Sequence, residues 1–170
     1  MKHLIKNQIQ YRDYPIHTDC EAIVSILDAT GFFYPEEVDI ALELINEKIN
    51  YPDSSSYEFI FAEYQTTVVG YICYGKIPLT KASWDVYWIA VHPDFQGNGI
   101  GYSLLSKAEE KTVRHDGKHF YIETSGRKQY EPTHSFYLKA GYTISAVFKD
   151  FYADGDDKLV FYKKLTTIIP

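Results

Sequence analysis

Apolar and polar residues alternate loosely from Leu4 to Tyr11, which predicts a first β-strand. The period then changes. Ala22, Ile23, Ile26 and Leu27 fall on one face of a helix that Thr18-Asp19-Cys20-Glu21 would open as a capping box and Gly31 would close. A second helix starts at Pro35-Glu36-Glu37, where proline is tolerated and two carboxylates meet the positive end of the helix dipole. Its apolar face, Val38, Ala41, Leu42, Ile45 and Ile49, runs to about Asn50, before the polar link Asp53 to Ser56. Glu58 to Glu63 and Val68 to Tyr74 read as strands joined by a short hairpin loop, Gln65-Thr66-Thr67. Gly75 to Ser83 reads as a loop and Trp84 to Val91 as a fourth strand. Leu104, Leu105, Ala108 and Lys111 then continue at helical spacing to about Arg114, where Asp116-Gly117 stops them. His119 to Thr124 is a fifth strand, Thr133 to Ala140 a short helix ended by Gly141, and Tyr142 to Lys149 and Leu159 to Lys164 close the chain around Asp154-Gly155-Asp156. This order, β-α-α-β-β-β-α-β-α-β-β, predicts an α/β (α+β) architecture: a mixed sheet with helices on both faces.

Composition narrows the class. The chain has 170 residues, 45% of them hydrophobic, which suits one ordinary domain with its own core. Cys20 and Cys73 sit in periodic segments without a second cysteine or histidine at metal-ligand spacing, so they read as reduced core residues and no metal site is expected. His92 and His134 read as hydrogen-bonded or surface residues rather than ligands. The segment Met1 to Lys6 has no apolar run long enough for a signal peptide, and a soluble, cytoplasmic protein without membrane contact is expected. A net charge of −6 with scattered lysines and arginines argues against nucleic acid as a partner and agrees weakly with a cationic substrate. Aromatic residues make up 16%, more than a core requires, so some tyrosines are expected to line a binding groove; edge strands and exposed aromatics also fit a homodimer.

The strand exit at Val91-His92-Pro93 leads into Gln96-Gly97-Asn98-Gly99-Ile100-Gly101-Tyr102 at the start of a helix. Alternate glycines let backbone N–H groups approach an anion, and the helix dipole adds to the same spot, so a phosphate-bearing ligand is expected. Gly101 is followed by Tyr102 rather than Lys-Ser/Thr, which excludes a nucleotide-hydrolysing P-loop. The sixth position is Tyr102 counted from Gly97 and Leu104 counted from Gly99, which excludes the dinucleotide fingerprint. A glycine-rich turn that only joins strand to helix is the plain alternative. The remaining pattern, Gln-x-x-Gly-x-Gly after a Val-x-Pro exit, resembles the coenzyme A pyrophosphate loop of the GNAT acetyltransferase superfamily.

That resemblance extends over nearly the whole chain, since the fold of that superfamily has the same element order. It implies a single N-acetyltransferase domain over residues 1–170, with an acyl-CoA N-acyltransferase fold of six to seven mostly antiparallel strands. It also implies acetyl-CoA as cosubstrate: the backbone of Ile89 and Val91 would pair with pantetheine, and Gln96, Gly97, Asn98, Gly99, Ile100, Gly101 and Tyr102 would hold the pyrophosphate. For Ile89 and Val91 a plain core strand is the alternative, and both can hold at once. An attacking amine has to be neutral, which a primary amine of pKa about 10.4 rarely is at neutral pH, so a nearby carboxylate would help. Asp85 lies six residues before Val91, the spacing at which several family members, histone acetyltransferases among them, place a general base; Glu123 on the next strand is the rival, and a water chain the third option. The segment Ser135-Phe136-Tyr137-Leu138-Lys139-Ala140-Gly141-Tyr142 resembles the family's Phe-Tyr-x-Lys-x-Gly-Phe, which assigns Tyr137 as the acid that protonates the departing thiolate. Tyr130 and Thr133 stand where many members have Asn and Ala, so Tyr130 joins the substrate wall instead of an Asn contacting pantetheine. The acceptor groove would be bordered by Phe32-Phe33-Tyr34 with Glu36 and Glu37, and by Asp150-Phe151-Tyr152 with Asp154, Asp156 and Asp157, aromatics and carboxylates that suit a cationic amine on a ring face. The expected reaction is acetyl transfer to a small-molecule amine. Acetylation of protein amino termini or lysines, and a non-catalytic acyl-CoA sensor, are the alternatives.

Overall fold

The computed structural model describes residues 8–166, so positions 4–7 of the expected first strand lie outside them. The elements are β1 (Ile9–Arg12), α1 (Asp19–Thr30), α2 (Pro35–Asn50), β2 (Tyr57–Tyr64), β3 (Thr67–Lys76), β4 (Ser83–Val91), α3 (Ile100–Arg114), β5 (His119–Ser125), α4 (Glu131–Lys139), β6 (Thr143–Ala153) and β7 (Asp156–Lys164). One-turn 3₁₀ segments, Pro93–Phe95 and Lys128–Tyr130, precede α3 and α4. The strands form a seven-stranded mixed sheet in the order β1-β2-β3-β4-β5-β7-β6. The β4–β5 pair is parallel, as the helical crossover through α3 requires. The β1–β2, β2–β3, β5–β7 and β6–β7 pairs are antiparallel. No described helix is long and apolar enough to cross a membrane.

The chain forms two compact units, Met1–Gly75 with Trp88–Ala108 and Lys76–Tyr87 with Glu109–Pro170. In the first, β3 is buried without interruption from Val69 to Gly75, the pattern of a central strand. Phe59 and Phe61 stack at 5.9 Å, and Tyr71 lies 6.4 Å from Phe61. Ile23, Ile26 and Leu27 of α1 and Val38, Ala41 and Ile45 of α2 complete this core.

The hairpin loop shrinks to Gln65-Thr66, both at positive φ, 48° and 71°, because β3 begins at Thr67. At the start of α1 the expected capping box does not form. Thr18 is itself helical and its side chain makes no capping bond. Asp19 instead accepts from Ile16 N at 2.8 Å and pairs with Arg12 at 2.7 and 2.9 Å, while Arg12 Nε also donates to Glu63. An Asp in the first turn next to a buried guanidinium outcompetes a hydroxyl one residue earlier. The box arrangement occurs at α2, where Tyr34 N donates to Glu37 Oε2 at 2.8 Å.

In the second unit Phe120, Phe161, Tyr137 and Tyr142 are buried around β5, β7 and α4. The closing strand β6 is an edge, exposed along nearly its whole length. It extends past the expected end at Lys149 by means of a bulge: Phe148 pairs with Lys158, and the next pair is Ala153 with Asp156. Asp154-Gly155 then makes the tight turn, with Gly155 at φ 79°.

Candidate functional site

The loop that follows β4 is built from the first unit alone. His92 N donates to Val69 O at 2.9 Å, which anchors the strand exit to β3. His92 Nδ1 accepts from Asp94 N, and Phe95 N and Gln96 N bond back to His92 O and Pro93 O, closing the 3₁₀ turn. The buried Asn98 side chain then donates to Phe95 O at 2.9 Å and Gln96 O at 3.3 Å. Gly97 and Gly99 flank it at φ 75° and 77°, values an L side chain would reach only with strain. Asn98 therefore draws the carbonyls inward around its own amide.

The first bond of α3 in this region runs from Ser103 N to Gly99 O, so the N–H groups of Ile100, Gly101 and Tyr102 belong to the first turn, which has no preceding carbonyl to meet. Inward carbonyls, open N–H groups and a helix start make a donor set that fits a pyrophosphate. Gln96 has a different part from the one expected. Its Nε2 donates to Val91 O at 3.0 Å, so the side chain fixes the strand-to-loop corner and takes one of the two lone pairs of that carbonyl.

The second unit carries the candidate base. Asp85 is paired in register with Tyr121, and the β4–β5 register ends one step later at Val86 with Ile122. Glu123 follows on the same face as Tyr121 and is paired across to Val160. Asp85 Oδ1 is buried without a hydrogen-bond partner. Burial, and next the neighbouring Glu123 charge, push the Asp85 carboxyl up to about 7, against smaller opposing effects of the Val86 N–H and Lys158. Glu123 is in a different state: Lys158 Nζ grips both its oxygens at 3.2 and 3.1 Å. The two rival carboxylates thus separate into one poised near neutrality and one held in an ion pair.

Tyr137, on α4, lies in a ring cluster with Phe136 at 5.3 Å, Phe161 at 5.2 Å and Tyr142 at 6.1 Å. Burial raises its phenol well above the ordinary range, which keeps it protonated at any working pH. The helix is tied to the end of β5 by His134, whose Nε2 lies 2.9 Å from Ser125 O and 3.1 Å from Thr124 Oγ1. Tyr130 lies under the Arg127 guanidinium at 5.5 Å.

The carboxylates expected to face an acceptor are largely committed. Glu37 caps α2. Asp156 accepts from Ser125 Oγ at 2.6 Å and pairs with Arg127 at 3.3 Å. Asp157 pairs with Lys149 at 2.6 Å and accepts from Asp150 N. The ring face of Phe151 is taken by Lys158 Nζ, 4.0 Å from its centre. The apolar pattern starts the last strand at Leu159 and leaves Lys158 in the connection before it, whereas β7 begins at Asp156. The two-residue turn at Asp154-Gly155 sets the register that places Lys158 opposite Phe148. Among the described residues, no group of three or more His, Cys, Asp or Glu could hold a metal ion.

Residues 21–142 match the model of the acetyltransferase (GNAT) family. A curated acetyltransferase of Sodalis glossinidius is 31% identical over 100 residues, 57% of this chain and 63% of its own length. One of Pectobacterium atrosepticum is 30% identical over 98 residues, 56% and 62%. The chain thus spans less than two thirds of the length of these curated relatives. A crystal structure of a GNAT-family protein from Desulfovibrio desulfuricans, assigned as an acetyltransferase, superposes with a TM-score of 0.91 at 37% identity, over 93% of this chain and 99% of that one. An aminoglycoside 6'-N-acetyltransferase complexed with coenzyme A shares the fold, with a TM-score of 0.74 at 21% identity over 93% and 97%.

Proposed function

Because the chain belongs to the GNAT acetyltransferase family, we propose that it is an N-acetyltransferase that moves the acetyl group of acetyl-CoA to a primary amine of a small molecule, by direct attack in a ternary complex. Bound acetyl-CoA supplies an activated thioester. The N–H groups from Gly97 to Tyr102 would hold its pyrophosphate, with Asn98 and Gln96 setting the loop, and the backbone of Ile89 and Val91 would pair with the pantetheine.

Asp85 takes the proton of the attacking amine, and Tyr137 returns a proton to the leaving sulfur. The observation that carries this reading is the state of Asp85, a carboxyl with one buried, unpartnered oxygen and a proton affinity raised to about 7. A base of that strength is half ionised at neutral pH and removes a proton from an ammonium more readily than an ordinary aspartate. Glu123, the rival base, is held in its ion pair with Lys158 and stays out of the proton transfer.

The test is a screen of primary amines with acetyl-CoA, reading thiol release and confirming the acetylated product by mass. Turnover that Asp85→Asn depresses supports the assignment. Coenzyme A binding without transfer to any amine would replace it with a non-catalytic binding role, and transfer only to peptide amino termini or lysines would move the acceptor to protein.

A further inference from the structure

Glu123 and the β6 bulge build a site for an ammonium ion, and the chain fills it itself. Lys158 Nζ bridges the two Glu123 oxygens at 3.2 and 3.1 Å and lies 4.0 Å from the centre of the Phe151 ring and 5.2 Å from that of Phe148. A carboxylate with two ring faces binds a primary ammonium ion by charge and by cation–π attraction. The Lys158 side chain is 14% exposed and that of Glu123 44%, so the cation is covered while the carboxylate remains accessible.

The bulge that supplies Phe151 is fixed. Asp157 accepts from Asp150 N at 3.0 Å and pairs with Lys149, Asp150 Oδ1 accepts from Gly155 N at 2.7 Å, and Asp150 adopts φ 52°. Phe148 and Tyr152 brace the Phe151 ring edge-on at 6.2 and 5.0 Å. Register places Lys158 with Ser125 and Phe148, Glu123 with Val160, and Asp85 with Tyr121, all on one face of the sheet. His119 and Tyr162, joined at 2.9 Å, lie on that face as well.

We propose that Lys158 determines acceptor specificity: it occupies the place a second ammonium group would take, and so restricts acceptors to those that bring one cationic group to this face. The inference rests on the amine-acceptor reading above. A second ammonium on the acceptor meets the lysine as a like charge. Without the lysine, Asp85 and Glu123 together with two open ring faces suit a diamine.

The experiment compares butylamine with 1,4-diaminobutane as acceptors for the wild-type protein and Lys158→Met. The wild type is expected to favour butylamine in kcat/KM, and the variant to shift the ratio at least tenfold toward the diamine. The double variant Glu123→Gln/Lys158→Met should lose that gain. A ratio within twofold of wild type in a folded variant overturns the proposal, and Lys158→Gln serves in its place if Lys158→Met does not fold. Calorimetric titration of 1,4-diaminobutane in the presence of coenzyme A decides independently of turnover: at least tenfold tighter binding to the variant is expected, and equal affinity refutes the assignment. If the wild type acetylates neither amine, the acceptor reading fails, while the calorimetric comparison still decides the role of Lys158.

Discussion

Replacing Asp85 with asparagine is expected to lower activity and raise stability at the same pH. The Asp85 carboxyl lies at about 7 in the folded chain against an ordinary value of 3.8. A group whose folded value is raised contributes stability that is complete below the unfolded value and lost as pH rises through the folded one, here between about pH 4 and pH 7. At pH 8 the folded protein therefore carries an ionised carboxylate that its surroundings disfavour.

Three pH units correspond to about 4 kcal/mol, and residual solvent screening roughly halves this to about 2 kcal/mol. Asparagine cannot ionise, so Asp85→Asn should raise Tm by roughly 4–8 °C at pH 8 and by little at pH 4. The same change removes the base, and kcat/KM for acetyl transfer should fall roughly 10²-fold or more. In the wild type, kcat/KM should climb through an acid limb near pH 7, well separated from the titration of the free amine near 10. The measurements are thiol release across pH and thermal melts at pH 4 and pH 8. An acid limb that persists near pH 7 in the variant removes Asp85 from the chemistry, and a variant less stable than wild type at pH 8 refutes the account of its burial.

Tyr137→Phe keeps the rings packed with Phe136, Phe161 and Tyr142, so turnover should fall about 10²-fold with coenzyme A affinity and Tm nearly unchanged; equal turnover excludes the acid role. Asn98→Ala removes the donor to Phe95 O and Gln96 O, and calorimetry should find coenzyme A binding about tenfold weaker, or about 1.4 kcal/mol, whereas retained affinity means the loop holds its shape without the brace. Gly99→Val places a β-branched residue at φ 77°, a strain of roughly 1–2 kcal/mol, and should weaken coenzyme A binding about tenfold; undiminished binding refutes the cradle. Thr66→Gly relieves a β-branched residue at φ 71° in the β2–β3 turn and should stabilise by about 0.5–1 kcal/mol after the entropy cost of glycine, read as a higher Tm at unchanged activity.

Much of the fold is legible in the spacing of apolar residues because periods of 2 and 3.6 are set by burial, and burial is what the sheet and helices need. The helix Pro35–Asn50 follows directly from that rule, and β3 follows from an unbroken buried run between turns. What the pattern hides is pairing that depends on residues far apart. Thr18 has the sequence of a cap, yet Arg12 and Glu63, brought together by the β1–β2 register, recruit Asp19 instead. The segment between the strands expected to end at Lys149 and to begin at Leu159 reads as a connection around the turn Asp154-Gly155-Asp156. It is a strand with a bulge, because Asp157 and Asp150 satisfy the backbone groups that a regular ladder would have paired.

The site divides in the same way. The glycine loop is local, so the anion cradle proposed for it can be read from consecutive residues, although the use of Asn98 and Gln96 as braces cannot. Asp85 and Glu123 are both plain carboxylates in sequence, and their difference arises only after the parallel register sets one beside the other and β7 adds Lys158 to one of them. Each then conditions its neighbour. The Glu123 charge holds the Asp85 proton more tightly, while Lys158 opposes that effect and fixes Glu123 in place. Exchanging Lys158 for an apolar residue should therefore alter acceptor choice and also move the acid limb of the Asp85 profile to higher pH, two readouts that loss of a structural ion pair alone would not produce together.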